Sequence, residues 1–193
     1  MKASTAVVIT ILVGVVLAGI FWAVIVFSGW YSIAAHGDTG GPIEWSADRT
    51  ASHSIAYHAK GIQVPPLNDP KLAREGAGEY HETCAECHGA PGKEPAEWAR
   101  SMAPEPPEVK EIVEEFQPNE IFWIAKNGIR MTGMPSFHGE SDQKLWGVVA
   151  FMEKLPKMTP AEYQQAVAAA PEQQGEHAEG GENGESGESP ESH

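Results

Sequence analysis

The first strong pattern along the chain is an uninterrupted apolar run near the N-terminus. From Ala6 to Phe27 there is no charged residue, and valine, isoleucine, leucine and alanine predominate. A helix of this length, rising about 1.5 Å per residue, spans a hydrocarbon core of about 30 Å. We therefore expect an uncleaved membrane-spanning helix. The alternative is a cleaved secretory signal, but its apolar region is typically only about 7–15 residues long.

The charges that flank this run predict its orientation. Lys2 precedes it, whereas no lysine or arginine occurs from Ser28 to Asp48. Because positively charged residues are retained on the inner side of a membrane, we expect the N-terminus inside and the rest of the chain outside. Trp30 and Tyr31 would then lie in the outer aromatic belt.

Helical spacing and helix-capping residues recur in the rest of the chain, and no convincing strand is found. Asp69-Pro70 combines an N-cap aspartate with proline at the first helical position. Thr159 and Glu162 form a capping box. We therefore expect an all-α protein whose proline-rich stretch 89–107 is a loop. The predicted helices cover residues 47–60, 70–83, 118–127, 141–155 and 160–169.

Negative charge is concentrated at the C-terminus. The net charge is −14, and no lysine or arginine follows Lys157. Beyond Pro171 the Glu/Gly/Ser/Gln repeat cannot bury a core, so we expect a disordered acidic tail. No basic cluster offers the charge that neutralises phosphates, which argues against a nucleic-acid partner. The glutamates of the tail are Glu172, Glu176, Glu179, Glu182, Glu185, Glu188 and Glu191.

The two cysteines of the chain, Cys84 and Cys87, lie at the end of a predicted helix, and His88 follows directly. So close a pair does not cross-link distant parts of a fold, whereas Cys-x-x-Cys-His is the attachment motif of a c-type haem. We therefore expect one covalent haem, with thioether bonds from both cysteines and His88 as the proximal iron ligand.

Two other interpretations of this motif are weaker. A structural zinc site, to which His81 would contribute, normally takes four ligands in closed geometry. A redox disulfide of the thioredoxin type expects a βαβ surround. The sequence contains neither context, although a dithiol protein remains the alternative outside haem chemistry.

The second axial ligand is expected in the loop after the helix 118–127. Met131 and Met134 are the candidates, since a thioether is a soft donor that favours Fe(II). Met134 stands between Gly133 and Pro135, where glycine permits close backbone approach and proline stiffens the loop. Other candidates are less well placed: Met102, Met152, Met158 and His138.

Three segments, CAECHGAPG, FWIAKNGIRMTGMPSF and DQKLWGVVAFMEKLP, resemble a membrane-anchored, single-haem class I cytochrome c of the bacterial cytochrome c family. The resemblance covers residues 69 to about 157. It implies that Met134 is the distal ligand. It also implies that the first and last helices cross, with Gly76 or Tyr80 meeting Trp146 or Phe151.

The resemblance further implies that a proline carbonyl orients the proximal histidine, and Pro104 and Pro106 are the candidates. The expected function is electron transfer rather than catalysis, between a membrane-bound respiratory or dehydrogenase complex and an oxidase or soluble carrier. The alternative is a catalytic or sensing haem with a labile distal ligand. We expect a single-pass protein of the bacterial inner membrane, with an anchor at 1–30, a periplasmic spacer at 31–68, a cytochrome domain at 69–170 and a tail at 171–193.

Overall fold

The computed structural model describes residues 3–29, 32, 34–35 and 41–171. These residues form helices and loops without a strand, apart from an isolated bridge between Ala90 and Lys93, which confirms the all-α class. The predictions for Trp30, Tyr31 and the tail lie outside the described residues. The helices are α1 (Ala3–Phe27), α2 (Pro42–His58), α3 (Pro70–Glu79), α4 (Ala85–His88), α5 (Glu97–Arg100), α6 (Val109–Glu115), α7 (Pro118–Asn127), α8 (Asp142–Met152) and α9 (Pro160–Ala168).

Helix α1 is the apolar run of the sequence. The segment Ser4–Phe27 is long and apolar enough to cross a membrane, and no part of it is buried within the described residues. Nearly all of its valine, isoleucine and leucine side chains are exposed. Such a surface is stable where lipid rather than water surrounds it.

Helix α2, which lies within the predicted spacer 31–68, packs on the helices that follow it. It begins at Pro42 rather than at residue 47. Near its C-terminal end Ile55 and Ala59 are buried, and Asn119 of α7 donates a hydrogen bond to the Ala59 carbonyl at 3.0 Å. The ring of His58 stacks on that of Trp123, with 5.6 Å between the centroids. The C-terminal end of α2 is therefore docked on α7.

Several predicted helix ends are confirmed by their caps. Asp69 accepts a hydrogen bond from the Lys71 amide at 2.8 Å and starts α3. Helix α7 covers its predicted range and ends at Gly128, whose φ of 67° favours glycine. Helix α9 begins with the Thr159–Glu162 capping box. Helix α8 ends at Met152, earlier than predicted, and a 3₁₀ turn follows at Leu155–Lys157.

The sequence did not predict two short helices: α5, which lies within the proline-rich stretch 89–107, and α6, which follows it. Neither has a side-chain cap that would have indicated its start. Helix α6 is held by burial of Val109 and Ile112 in the core, and α5 by burial of Ala99. Tertiary packing, not local propensity, stabilises these two helices.

Helices α3 and α8 cross at two glycines. A Cβ atom built on Gly76 would overlap the carbonyl group of Gly147 and lie 2.5 Å from the Val148 nitrogen. A Cβ atom built on Gly147 would lie 3.0 Å from the Gly76 nitrogen. The expectation that Gly76 meets an aromatic side chain was therefore wrong. It meets Gly147, because only two residues without side chains let the backbones approach so closely.

Aromatic side chains pack on either side of this crossing. The rings of Tyr80 and Phe151 lie 5.8 Å apart between centroids, so this predicted contact of the first and last helices is present. Trp146 instead stacks on Phe122 of α7, with 4.3 Å between centroids and 12° between the planes. The two aromatic pairs join α8 to α3 and α7 in one core.

The substitution Gly76→Ala is predicted to destabilise the domain. The added methyl group meets backbone that cannot yield, so we expect the free energy of unfolding to fall by about 1–3 kcal/mol or more. Gly139→Ala is the matched control, since nothing lies within 4 Å of a Cβ atom built there. Chemical denaturation measures both variants. Equal stability of the two would contradict the close crossing.

Candidate functional site

An apolar cavity of about 410 Å³ lies between α3, α7, α8 and the loops that connect them. Aliphatic and aromatic side chains and prolines form most of its lining. The four residues that the sequence analysis selected, Cys84, Cys87, His88 and Met134, all line it. Folding therefore brings together two segments of the chain that are far apart in sequence.

The cysteines reach the cavity through a change of helical register. Helix α3 continues into a π-helical turn at Tyr80–Cys84, in which the amide of Ala85 donates to the Tyr80 carbonyl. Helix α4 follows at once and ends at Gly89, whose φ is 66°. A π-helical turn inserted into a helix is often found at a functional site, and here it sets the position of Cys84.

His88 is oriented by a backbone carbonyl. Its Nδ1 donates a hydrogen bond to the Pro107 carbonyl oxygen at 2.8 Å, which leaves Nε2 as the nitrogen with a free lone pair. Burial lowers the pKa of His88 and outweighs the opposing effect of this hydrogen bond, which favours the neutral imidazole. A neutral, oriented imidazole is the form that binds a metal.

The prediction that Pro104 or Pro106 supplies this carbonyl was wrong. Pro107 directly precedes Glu108, the N-cap residue of α6. Because α6 is fixed by its buried residues Val109 and Ile112, the carbonyl just before its start is fixed as well. The sequence analysis missed this partner because it did not predict α6.

A tight loop presents Met134 to the cavity. The amide of Ile129 donates to the Met134 carbonyl at 3.3 Å. The hydroxyl of Thr132 accepts from the Met134 amide at 3.1 Å and donates to the Ile129 carbonyl at 2.8 Å. A Cβ atom on Gly128 would lie 2.8 Å from the Met134 carbonyl oxygen, so the start of the loop requires glycine.

Met131 points away from the cavity. Its φ is 64° and 92% of its surface is exposed, and it is not among the lining residues. Met102 and Met152 do line the cavity; Met102 packs on Gly133, and Met152 is part of the buried face of α8. His138 is exposed and does not line it. Of the two methionines considered first, only Met134 has access to the cavity.

Helix α9 supports the segment that carries the cysteines. The Tyr163 hydroxyl lies 2.8 Å from Nδ1 of His81, and both groups are at least partly buried. On the other side of α4 a Cβ atom on Gly92 would lie 2.8 Å from the Pro160 side chain. Within the cysteine segment itself, Tyr80 donates a hydrogen bond to the Gly89 carbonyl at 2.6 Å. The contacts of α9 were not predicted, because no local feature of the sequence relates α9 to the cysteine segment.

The surroundings of the cysteines do not suit a reactive dithiol or a zinc site. Burial raises the pKa of Cys84 to about 12, and the negative charges of Glu79 and Cys87 add to this effect. A redox-active pair requires a lowered pKa, because the thiolate is the nucleophile. His81 is engaged by Tyr163, and the described residues contain no group of three or more potential metal-binding side chains.

The lining fits a haem. Most of the residues that line the cavity are apolar, both thiols are among the lining groups, and an imidazole nitrogen and a thioether are the donors that six-coordinate haem iron takes. No buried polar side-chain atom among the described residues lacks a hydrogen-bond partner.

Comparison with known proteins agrees with this geometry. Residues 71–152 match the sequence model of the family described as cytochrome c oxidase, cbb3-type, subunit III. No curated protein and no solved structure matches the chain. Together with the fold and the cavity, this match supports a class I c-type cytochrome domain. Such a domain implies haem c as the cofactor and supports a haem-based electron-transfer role.

Proposed function

We propose that the chain carries one haem, bound covalently through Cys84 and Cys87, with His88 and Met134 as axial ligands, and that it transfers single electrons without catalysing a reaction of its own. The observation that supports this most directly is the presence of both thiols, an oriented imidazole and a thioether in one apolar cavity. When bound, the haem supplies one-electron chemistry between Fe(III) and Fe(II).

The residues around the cavity have distinct tasks in this proposal. Pro107 holds the imidazole of His88 in one orientation and tautomer. Thr132 and Gly128 keep Met134 in place at little entropic cost. A thioether favours Fe(II) and raises the reduction potential. With His88 and Met134 both bound to the iron, the apolar lining would keep water and small ligands away from it.

The substitution Met134→Ala tests this ligand set. We expect the variant to retain its covalent haem, to lose the ferric absorbance band of sulfur–iron coordination, to bind carbon monoxide readily and to have a lower reduction potential. Met131→Ala is the control, since that side chain is 92% exposed, and its spectrum and potential should equal those of the wild type. Absorbance spectroscopy and redox titration measure both.

The spin state and carbon monoxide binding of the wild-type protein distinguish an electron carrier from the alternative function. An electron carrier with Met134 bound should be low-spin and should not bind carbon monoxide. A high-spin spectrum with ready carbon monoxide binding in the wild type would instead indicate a catalytic or sensing haem with a labile distal ligand. A loss of the sulfur–iron band in Met131→Ala would assign the ligand to Met131.

We also propose the arrangement of the chain in its membrane. Helix α1, within residues 1–30, is an uncleaved anchor in the bacterial inner membrane, and the cytochrome domain (69–170) lies on the periplasmic side. The segment 31–68 connects them, with α2 docked on the domain through Ile55 and Ala59. Residues 171–193 form an acidic tail.

A membrane tether favours a partner in the same membrane, because it raises the effective concentration of the domain there. The matched family takes its description from a cbb3-type cytochrome c oxidase. We therefore propose that the haem passes electrons to a membrane-bound oxidase complex, after receiving them from a respiratory or dehydrogenase complex. A soluble carrier is the alternative acceptor.

An oxygen pulse given to anaerobic membranes that contain the reduced full chain tests the acceptor. We expect the haem to be oxidised without any added soluble carrier, and cyanide, which blocks haem oxidases, to stop this oxidation. The rate should not change when the membranes are diluted, since both partners share one bilayer. Oxidation that depends on an added carrier would contradict a direct transfer to an oxidase.

A further inference from the structure

A network of three charged residues adjoins the wall of the cavity. Glu79, at the end of α3, is the one buried charged residue in the described part of the chain. It also lines the cavity. Its carboxylate accepts a hydrogen bond from the Thr83 hydroxyl at 3.0 Å and pairs with the Lys144 ammonium at 2.8 Å. The carboxylate is thus held in place beside Cys84.

The network is ordered from the cavity outward. The side chain of Glu79 is 8% exposed, that of Lys144 is 29% exposed and that of Glu140, 2.9 Å from Lys144, is 38% exposed. Lys144 and Glu140 do not line the cavity. Burial lowers the pKa of Lys144, but its hydrogen bonds and the charges of the two glutamates outweigh burial and raise it. Of the two carboxylates in the network, it is therefore the buried Glu79 that lines the cavity.

We propose that Glu79 lowers the reduction potential of the haem and that Lys144 limits this effect. The inference rests on the proposed haem site. Reduction adds one electron, taken from the donor protein, to the iron, and a fixed negative charge in the cavity wall disfavours that addition. Salt and water screen a buried charge only weakly, so Glu79 acts more strongly than a surface carboxylate. Burying a carboxylate is costly, and a role in setting the potential explains why one stands here.

Two substitutions are expected to change the potential in opposite directions. Glu79→Gln removes the negative charge and should increase the equilibrium constant for reduction by up to about tenfold, which is about 59 mV for one electron. Lys144→Gln leaves the glutamates without their counter-charge and should lower the potential. The double variant should fall between the two. Redox titration of the full-length holoprotein in detergent measures all three.

Two controls separate charge from shape. Glu79→Asp keeps the charge, so its potential should stay closer to the wild type than that of Glu79→Gln. Asp142→Asn removes a carboxylate from an exposed ion pair with Lys126. The reduction potential of Asp142→Asn should shift less than that of Glu79→Gln. At high salt the shift in Asp142→Asn should vanish, whereas the shift in Glu79→Gln should persist.

The outcomes distinguish this inference from the proposed site. Shifts of the same sign in Glu79→Gln and Lys144→Gln, or shifts no larger than that of Asp142→Asn, would mean that the network is only structural and would overturn the proposal. This conclusion requires that each variant keeps the sulfur–iron band. Absence of the band in the wild type would count against Met134 as a ligand instead.

Discussion

The contact between the backbones of α3 and α8 at Gly76 and Gly147 is the constraint on which the rest of the domain depends. The two helices touch without intervening side chains. Helix α3 leads directly into the π-helical turn and Cys84. Helix α8 contributes Leu145, Val148 and Met152 to the lining of the cavity. A wider crossing would move these side chains away from the cysteine segment.

Elements outside the matched region stabilise this arrangement from the outside. Helix α2 packs on α7, whose C-terminal end leads into the Met134 loop. Helix α9 contacts the cysteine segment through Tyr163 and Pro160. Helix α2 and the last described helix therefore each support one of the two chain segments that line the cavity with Cys84, His88 and Met134. The packed helices thus extend beyond the matched residues 71–152 on both sides.

Local signals in the sequence predicted much of this structure. Capping residues predicted where α3, α7 and α9 begin or end. The spacing from Cys84 to His88 predicted the cofactor chemistry without knowledge of the fold. The predictions that were wrong concerned contacts between residues that are far apart in the sequence. Pro107, rather than Pro104 or Pro106, holds His88 because α6 is buried, and α6 has no local start signal. Gly147 as the partner of Gly76 is equally a property of the packed helices, because a glycine within a helix has no preferred neighbour.

Met131 and Met134 also differ in a way that local sequence signals indicate only in part. Both follow Gly128 in one loop, and the sequence favoured Met134 only through its neighbours Gly133 and Pro135. The hydrogen bonds of Thr132 and the positive φ of Met131 place one thioether in the cavity and the other in solvent. The orientation of a loop side chain follows from such bonds, which no periodicity in the sequence records.

The central claim is that Cys84 and Cys87 hold a haem covalently, and mass spectrometry of the denatured, trypsin-digested protein tests it most directly. Cleavage after Arg74 and Lys93 releases residues 75–93, which contain both cysteines. The account predicts that this peptide carries the mass of one haem and that neither thiol reacts with an alkylating agent. A peptide of unmodified mass, with two thiols that are alkylated, would contradict it.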